Sequence, residues 1–184
     1  MMRNKVLVGL MAAVILAAGC GGVRHPATGG LSLEGQAAVA GRQLVAAISA
    51  AADGTDVMID TAILTKDQGV MVLQTLRTIG TESERLAEAL DVIRLTRAGT
   101  TERENAVLKA GNIVKGLQAA VIRGVIPGGT EASRARLAAL LGPISAALVD
   151  IGMLIQQGQA PDLSSAWVPE FTERMNFELL EGVA

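Results

Sequence analysis

Aromatic residues make up only 2% of the 184-residue chain: there is no tyrosine, one tryptophan and two phenylalanines. One histidine and one cysteine complete the short list of chemically reactive side chains. A single cysteine excludes an internal disulfide and a cysteine-rich zinc site, and a single histidine excludes any scheme that needs two. Charged residues account for 18% and hydrophobic ones for 50%. That balance suits one domain with a buried core and does not suit a disordered chain. Neither GxGxxG nor GxxxxGK[ST] occurs as a phosphate loop, and no catalytic constellation is present. The expectation is a protein that is not an enzyme and takes no cofactor and no metal.

What is present begins with an address. Arg3 and Lys5 precede an apolar run from Val6 to Ala18, thirteen residues long, followed by Gly19 and Cys20. A basic start, a short apolar segment and small residues before a cleavage point form the secretory pattern. Thirteen residues fall short of the roughly 20 that span a membrane.

The stretch Leu16-Ala17-Ala18-Gly19-Cys20 resembles the lipobox of bacterial lipoproteins. Leu16 lies four residues before the cysteine, and Ala17 fills the place leucine usually takes. The resemblance implies that Cys20 is the lipidation site: diacylated on sulfur, exposed as the new N-terminus by removal of residues 1–19, and often acylated on nitrogen too. Two or three acyl chains anchor stably where one does not. It further implies the bacterial cell envelope. Gly21 rather than an acidic residue follows Cys20, which favours the periplasmic side of the outer membrane in an organism with two membranes.

Without residues 1–19 the chain has fourteen basic and eighteen acidic residues, a net charge of −4. That argues against nucleic acid as a partner and against purely electrostatic attachment to anionic lipid. Residues 20–31 contain Gly21-Gly22 and Gly29-Gly30 around Pro26 and read as a flexible tether. His25 lies there, where nothing in the sequence would hold it as a base.

The body, residues 32–158, is expected to be an all-α, antiparallel bundle of three or four helices. Ser32 would cap a first helix running to Ala52, with Ala37, Gly41, Leu44, Ile48 and Ala51 on one face. Asp53-Gly54 is expected to stop it. Asp53, Asp56 and Asp60 carry the hard oxygens that calcium prefers, but not the spacing of a calcium loop. Val57 to Leu64 fits either a short helix or an extended connector.

The second helix has the clearest pattern. Thr65 and Gln68 match a capping box. Val72, Ile79, Leu86 and Ile93 recur every seven residues, with Gly69, Leu76, Ser83 and Leu90 three before each. That is the 3-4 apolar seam of helix bundles. Arg77, Glu84, Arg85, Glu88, Asp91 and Arg94 fall on other faces and read as a solvated surface.

Thr101 and Glu104 form a second candidate capping box, opening a helix to about Ile126. Val107, Ala110, Val114, Leu117 and Val121 share its inner face, which Ile113 and Ile122 would widen. Pro127-Gly128-Gly129 ends it, and Thr130 would cap a fourth helix carrying Leu137, Leu140, Leu141, Ile144, Leu148, Ile151 and Ile155. Gly142-Pro143 should kink that helix.

Residues 137–155 are apolar enough to raise a membrane-inserting alternative. Nine large aliphatic residues at about −0.5 kcal/mol each are offset by Asp150, at about +3, and by Ser145, Pro143 and the glycines. The sum is near zero, and burial against the seams of the other helices competes with insertion.

Residues 159–184 differ in kind. Trp167, Phe171 and Phe177, all the aromatics of the chain, lie here, with five acidic residues and Arg174 as the one base. Pro169 suits the first turn of a short C-terminal helix, and Phe171, Met175 and Leu179 would line one side of it. Such a segment either closes the bundle or docks on a partner.

Function is therefore expected to be interaction: a lipid-anchored bundle associating with an envelope protein or with its own copies. A membrane-active protein inserting residues 137–155 and a small-molecule or lipid binder are the alternatives.

Overall fold

The computed structural model describes residues 33–161 and residue 163. Among these residues all regular structure is helical. The signal, Cys20, the tether with His25 and the cap at Ser32 lie outside the described residues, as does nearly all of the C-terminal segment.

Four helices form the bundle: α1 (Leu33–Asp60), α2 (Lys66–Leu95), α3 (Thr101–Gly124) and α4 (Glu131–Gln156). Connections of five or six residues leave successive helices antiparallel. The helices pack as a ring. The most extensive contacts join α2 to α3 and α1 to α4, and thinner ones join α3 to α4 and α1 to α2. Of the three- and four-helix alternatives, the chain forms the four-helix bundle.

The α2 seam is core throughout: Val72, Ile79, Leu86 and Ile93 are fully buried, and Gly69, Leu76, Ser83 and Leu90 are buried with them. Thr65 accepts from the Gln68 amide (3.3 Å), and the Thr65 amide donates back to the Gln68 side chain (2.9 Å), closing the capping box. Ser83 satisfies its buried hydroxyl by donating to the Ile79 carbonyl at 2.8 Å. A polar residue thus occupies a seam position without leaving an unmade hydrogen bond.

The first helix does not stop at Asp53-Gly54; it runs unbroken to Asp60. Gly54 serves packing, because a Cβ there would overlap Leu140 Cδ1 of α4. Thr55 is fully buried and donates to the Ala51 carbonyl at 2.7 Å, so the helix carries it inward. Gly69 plays the same part between α1 and α2, where a Cβ would overlap the Ile59 side chain. The connector ends α1 with Ala62 in a left-handed conformation (φ 55°), while the amides of Ile63 and Leu64 both donate to the Met58 carbonyl.

Two further expectations are corrected. Thr100, one residue before the expected cap, is the N-cap of α3 and accepts from the Arg103 amide. Thr101 opens the helix proper, so its pairing with Glu104 is not the cap. Ile122 does not widen the inner stripe; it is 58% exposed. In α4, Thr130 caps as expected, accepting from the Ser133 amide at 3.1 Å. Pro143 falls inside one uninterrupted helix, on its exposed side.

Candidate functional site: the outer face of α3 and α4

Helix α4 sits between two neighbours. Leu140 meets Gly54 on α1, and Leu141 meets Gly124 on α3. Between those contacts it sends Leu137, Leu141, Ile144, Leu148 and Ile151 into the core, all at most 1% exposed. This use of its aliphatic residues is what a bundle requires.

The opposite side of α4 is nevertheless apolar. Ala135, Gly142, Ala146, Val149 and Met153 are all exposed and follow the spacing of a helical stripe. On α3 Leu108, Lys115, Ala119 and Ile122, followed by Ile126 in the turn after it, keep the same spacing and are again all exposed. The contacts of Val114 with Gly152 and of Gly124 with Leu141 set the antiparallel level of the two helices. At about 100° per residue, Ile122 and Lys115 lie just outside the Val114 contact line, and Val149 and Met153 just outside that of Gly152. The stripes therefore form one shared face. Leu108 and Met153 stand at one end, with Ile122 and Ile126 beside Gly142 and Ala139 toward the other.

Five large hydrophobic residues are exposed on α3, α4 and the start of the turn between them: Leu108 at 67%, Ile122 at 58%, Ile126 at 68%, Val149 at 40% and Met153 at 48%. Isolated exposed hydrophobics are ordinary, whereas a contiguous set marks an interaction surface. Lys115 is the exposed base on this face, while Glu104 and Glu131, both exposed, continue the α3 and α4 stripes at their far ends. The surface is apolar, with Lys115 within it and an acid at either end.

One end of the face is fixed by Arg103. Its guanidinium donates to the carbonyls of Ile93 and Thr96 (2.8 Å for the latter), at the end of α2, and to that of Gly158 (2.9 Å), just after α4. Three carbonyls at helix ends are thereby satisfied by one cation, whose charge also suits the negative ends of α2 and α4. Beyond Gly158 the chain stays on the bundle, with Pro161 and Leu163 buried.

The sequence-derived candidates fare differently. Cys20, the expected lipidation site, and His25 lie outside the described residues. Asp53, Asp56 and Asp60 sit on the continuous α1 helix rather than in a loop. Among the described residues no group of three or more His, Cys, Asp or Glu side chains is placed to hold a metal ion. Asp150 is half-buried on α4 and makes a polar interaction. By length and composition α4, with mean hydropathy 2.0, is the one described helix apolar enough to cross a membrane. The α3–α4 face was not visible as a site in the sequence. Its signal was Ile122, which has the right residue type for the core and the wrong helical phase.

The class is thus an all-α four-helix bundle with an apolar outer face on one hairpin. Comparison with known protein families, curated proteins and solved structures finds no match to this chain.

Proposed function

We propose that the protein is a non-enzymatic component of the bacterial cell envelope, anchored through acyl chains on Cys20, whose bundle docks a protein partner or a second copy on the α3–α4 face. The observation that carries the docking reading is that face itself. Five large exposed hydrophobics lie on one hairpin, where a fully solvated surface would place polar groups. The lipobox resemblance at Leu16–Cys20 carries the anchor, and Gly21 supports the periplasmic side of an outer membrane where there are two membranes.

Burial of Leu137, Leu141, Ile144, Leu148 and Ile151 favours α4 as a bundle helix over α4 as an inserted one. Insertion would strip α1 and α3 of the residues that cover them, at about 1.5–3 kcal/mol for each large side chain exposed. A glycine-containing tether of residues 20–31 would hold the bundle at most about 40 Å from the membrane.

The anchor is tested by Cys20→Ser in cells fed labelled fatty acid. The expected outcome is an uncut precursor without label, against a labelled mature wild type. Equal labelling of the two would remove the anchor from the proposal.

A further inference from the structure

We propose that the α3–α4 face pairs with the same face of a second copy of this chain, α4 against α4 and antiparallel, about a two-fold axis that passes between Gly142 and Pro143. The inference rests on the docking reading of that face, names its occupant, and is independent of the anchor at Cys20.

Size comes first. The outward side of α4 divides at that point into two unlike halves. Ala132, Ala135 and Ala139 are exposed before it, and Ala146, Val149 and Met153 after it. An antiparallel copy brings Ala139 level with Ala146, lays Val149 between Ala135 and Ala139, and lays Met153 beside Ala132. Large side chains meet small ones at both ends of the pair. Gly142 stands at the crossing. A Cβ there would meet nothing within 4 Å, so packing inside the bundle has no use for a glycine that weakens the helix relative to alanine. A second helix crossing at Gly142 uses it for close approach. The contacts of Val114 with Gly152 and of Gly124 with Leu141 set Ile122 level with Pro143. Ile122 therefore comes opposite Ile122 of the second copy, and Ile126 opposite Ala119.

Charge agrees with the same axis. Arg136, exposed, and Asp150, half-buried, lie on the α1 side of the α4 stripe, about two turns to either side of the axis. The antiparallel pair sets Arg136 within about 2 Å, along the helix direction, of Asp150 of the second copy. Asp150 keeps the polar interaction it makes within its own chain. On the α3 side of the stripe, Lys115 is level with about residue 151 of α4 and comes within about one turn of Glu131 of the second copy. Each opposite-charge contact occurs twice by symmetry. A parallel pairing of the same two faces would set Arg136, Asp150, Lys115 and Glu131 each against its own like, which disfavours it. Size and charge, read from different residues, select one orientation and one register of a self-complementary surface.

The test uses full chains in the membranes of cells expressing them, with two tags to tell the copies apart and peptide mapping of the disulfides, so that Cys20 is accounted for. A chain carrying Ala139→Cys is co-expressed with one carrying Ala146→Cys. On mild oxidation the two thiols are expected to join between chains. Either variant expressed alone should close several-fold less, because its own two thiols then lie about 10 Å apart along the helix direction, too far for a disulfide. Thr78→Cys with Ala146→Cys gives the background of chance collisions, since Thr78 is exposed on α2. Lys115→Glu in both chains should reduce closure several-fold, and adding Glu131→Lys should restore it. Restoration by charge exchange separates pairing from a general loss of fold. Ala139→Cys closing with itself better than with Ala146→Cys would show a parallel pair and overturn the inference, leaving the docking reading standing. Closure no greater than background, with both thiols protected from alkylation, would mean that another protein or lipid covers the face; the inference falls and the face remains a docking surface. Free alkylation of both thiols without closure removes both the pair and the docking reading.

Discussion

The two helical hairpins of the bundle differ in how charge and exposed apolar residues are arranged on them. Residues 33–95, spanning α1 and α2, hold nine acidic and five basic residues; residues 101–156, spanning α3 and α4, hold four acidic and six basic. On α2 the outward side carries the ion pairs Glu82–Arg85 (2.6 Å) and Asp91–Arg94 (2.9 Å), with Met71 and Leu95 as its exposed large hydrophobics, near the two ends of the helix. On α3 and α4 the outward side is Leu108, Ile122, Val149 and Met153, with Ile126 following in the turn. Both hairpins also send a full inner face into the core, so the difference is not about stability of the bundle. Exposed apolar residues occur on both hairpins, but on α3 and α4 they fall into adjoining stripes, which separates the part that folds the domain from the part offered to something else.

The largest effect that sharpens this contrast is expected inside. Leu86→Ala removes a fully buried side chain from the α2 seam and should cost about 2–5 kcal/mol, read as a fall in the urea midpoint. A loss under about 0.5 kcal/mol would mean that the seam is not the core of the α1–α2 side.

Next comes the joint between the hairpins. Arg103→Ala leaves the Ile93, Thr96 and Gly158 carbonyls without their shared donor and should cost about 1–3 kcal/mol. Arg103→Lys should recover less than half of that, because an ammonium lacks the fork that reaches three acceptors. Full rescue by lysine would show that charge alone holds this end.

The smallest effects are on the surfaces, where the comparison is sharpest. Arg85→Ala should change stability by under about 0.5 kcal/mol, since its ion pair is exposed. Ile122→Ser should change the stability of the bundle itself by under about 0.5 kcal/mol, because Ile122 is 58% exposed. A loss of about 2 kcal/mol or more, of the order expected for core positions, would mean that Ile122 is packed inside and not part of an outer face.

How much of this was readable beforehand depended on what each residue type was used for. The α2 seam was fully legible, because eight positions in a strict 3-4 alternation have one low-energy arrangement: all facing inward. The capping threonine Thr65 was legible for the same local reason. Gly54 was misread as a stop because glycine both ends helices and lets them approach. Only the position of Leu140, far along the chain on α4, decides between the two. The cap of α3 shifted by one residue because Thr100 and Thr101 offer the same hydroxyl, and backbone geometry selects Thr100. Ile122 read as core by type, although its helical phase sets it off the inner stripe, and the structure leaves it exposed.

Local physics in the chain therefore determined the helices, the N-caps of α2, α3 and α4 to within a residue, the antiparallel path set by short turns, and the inner face of α2. These follow from hydrogen-bond capping and apolar periodicity, which act within a few residues. The tertiary structure decided what lay beyond that range. It kept α1 continuous through Gly54, joined both hairpins through Arg103, and left the apolar stripes of α3 and α4 on one shared outer face. Each of those outcomes depends on which helix stands next to which, and no interaction along a single helix encodes it.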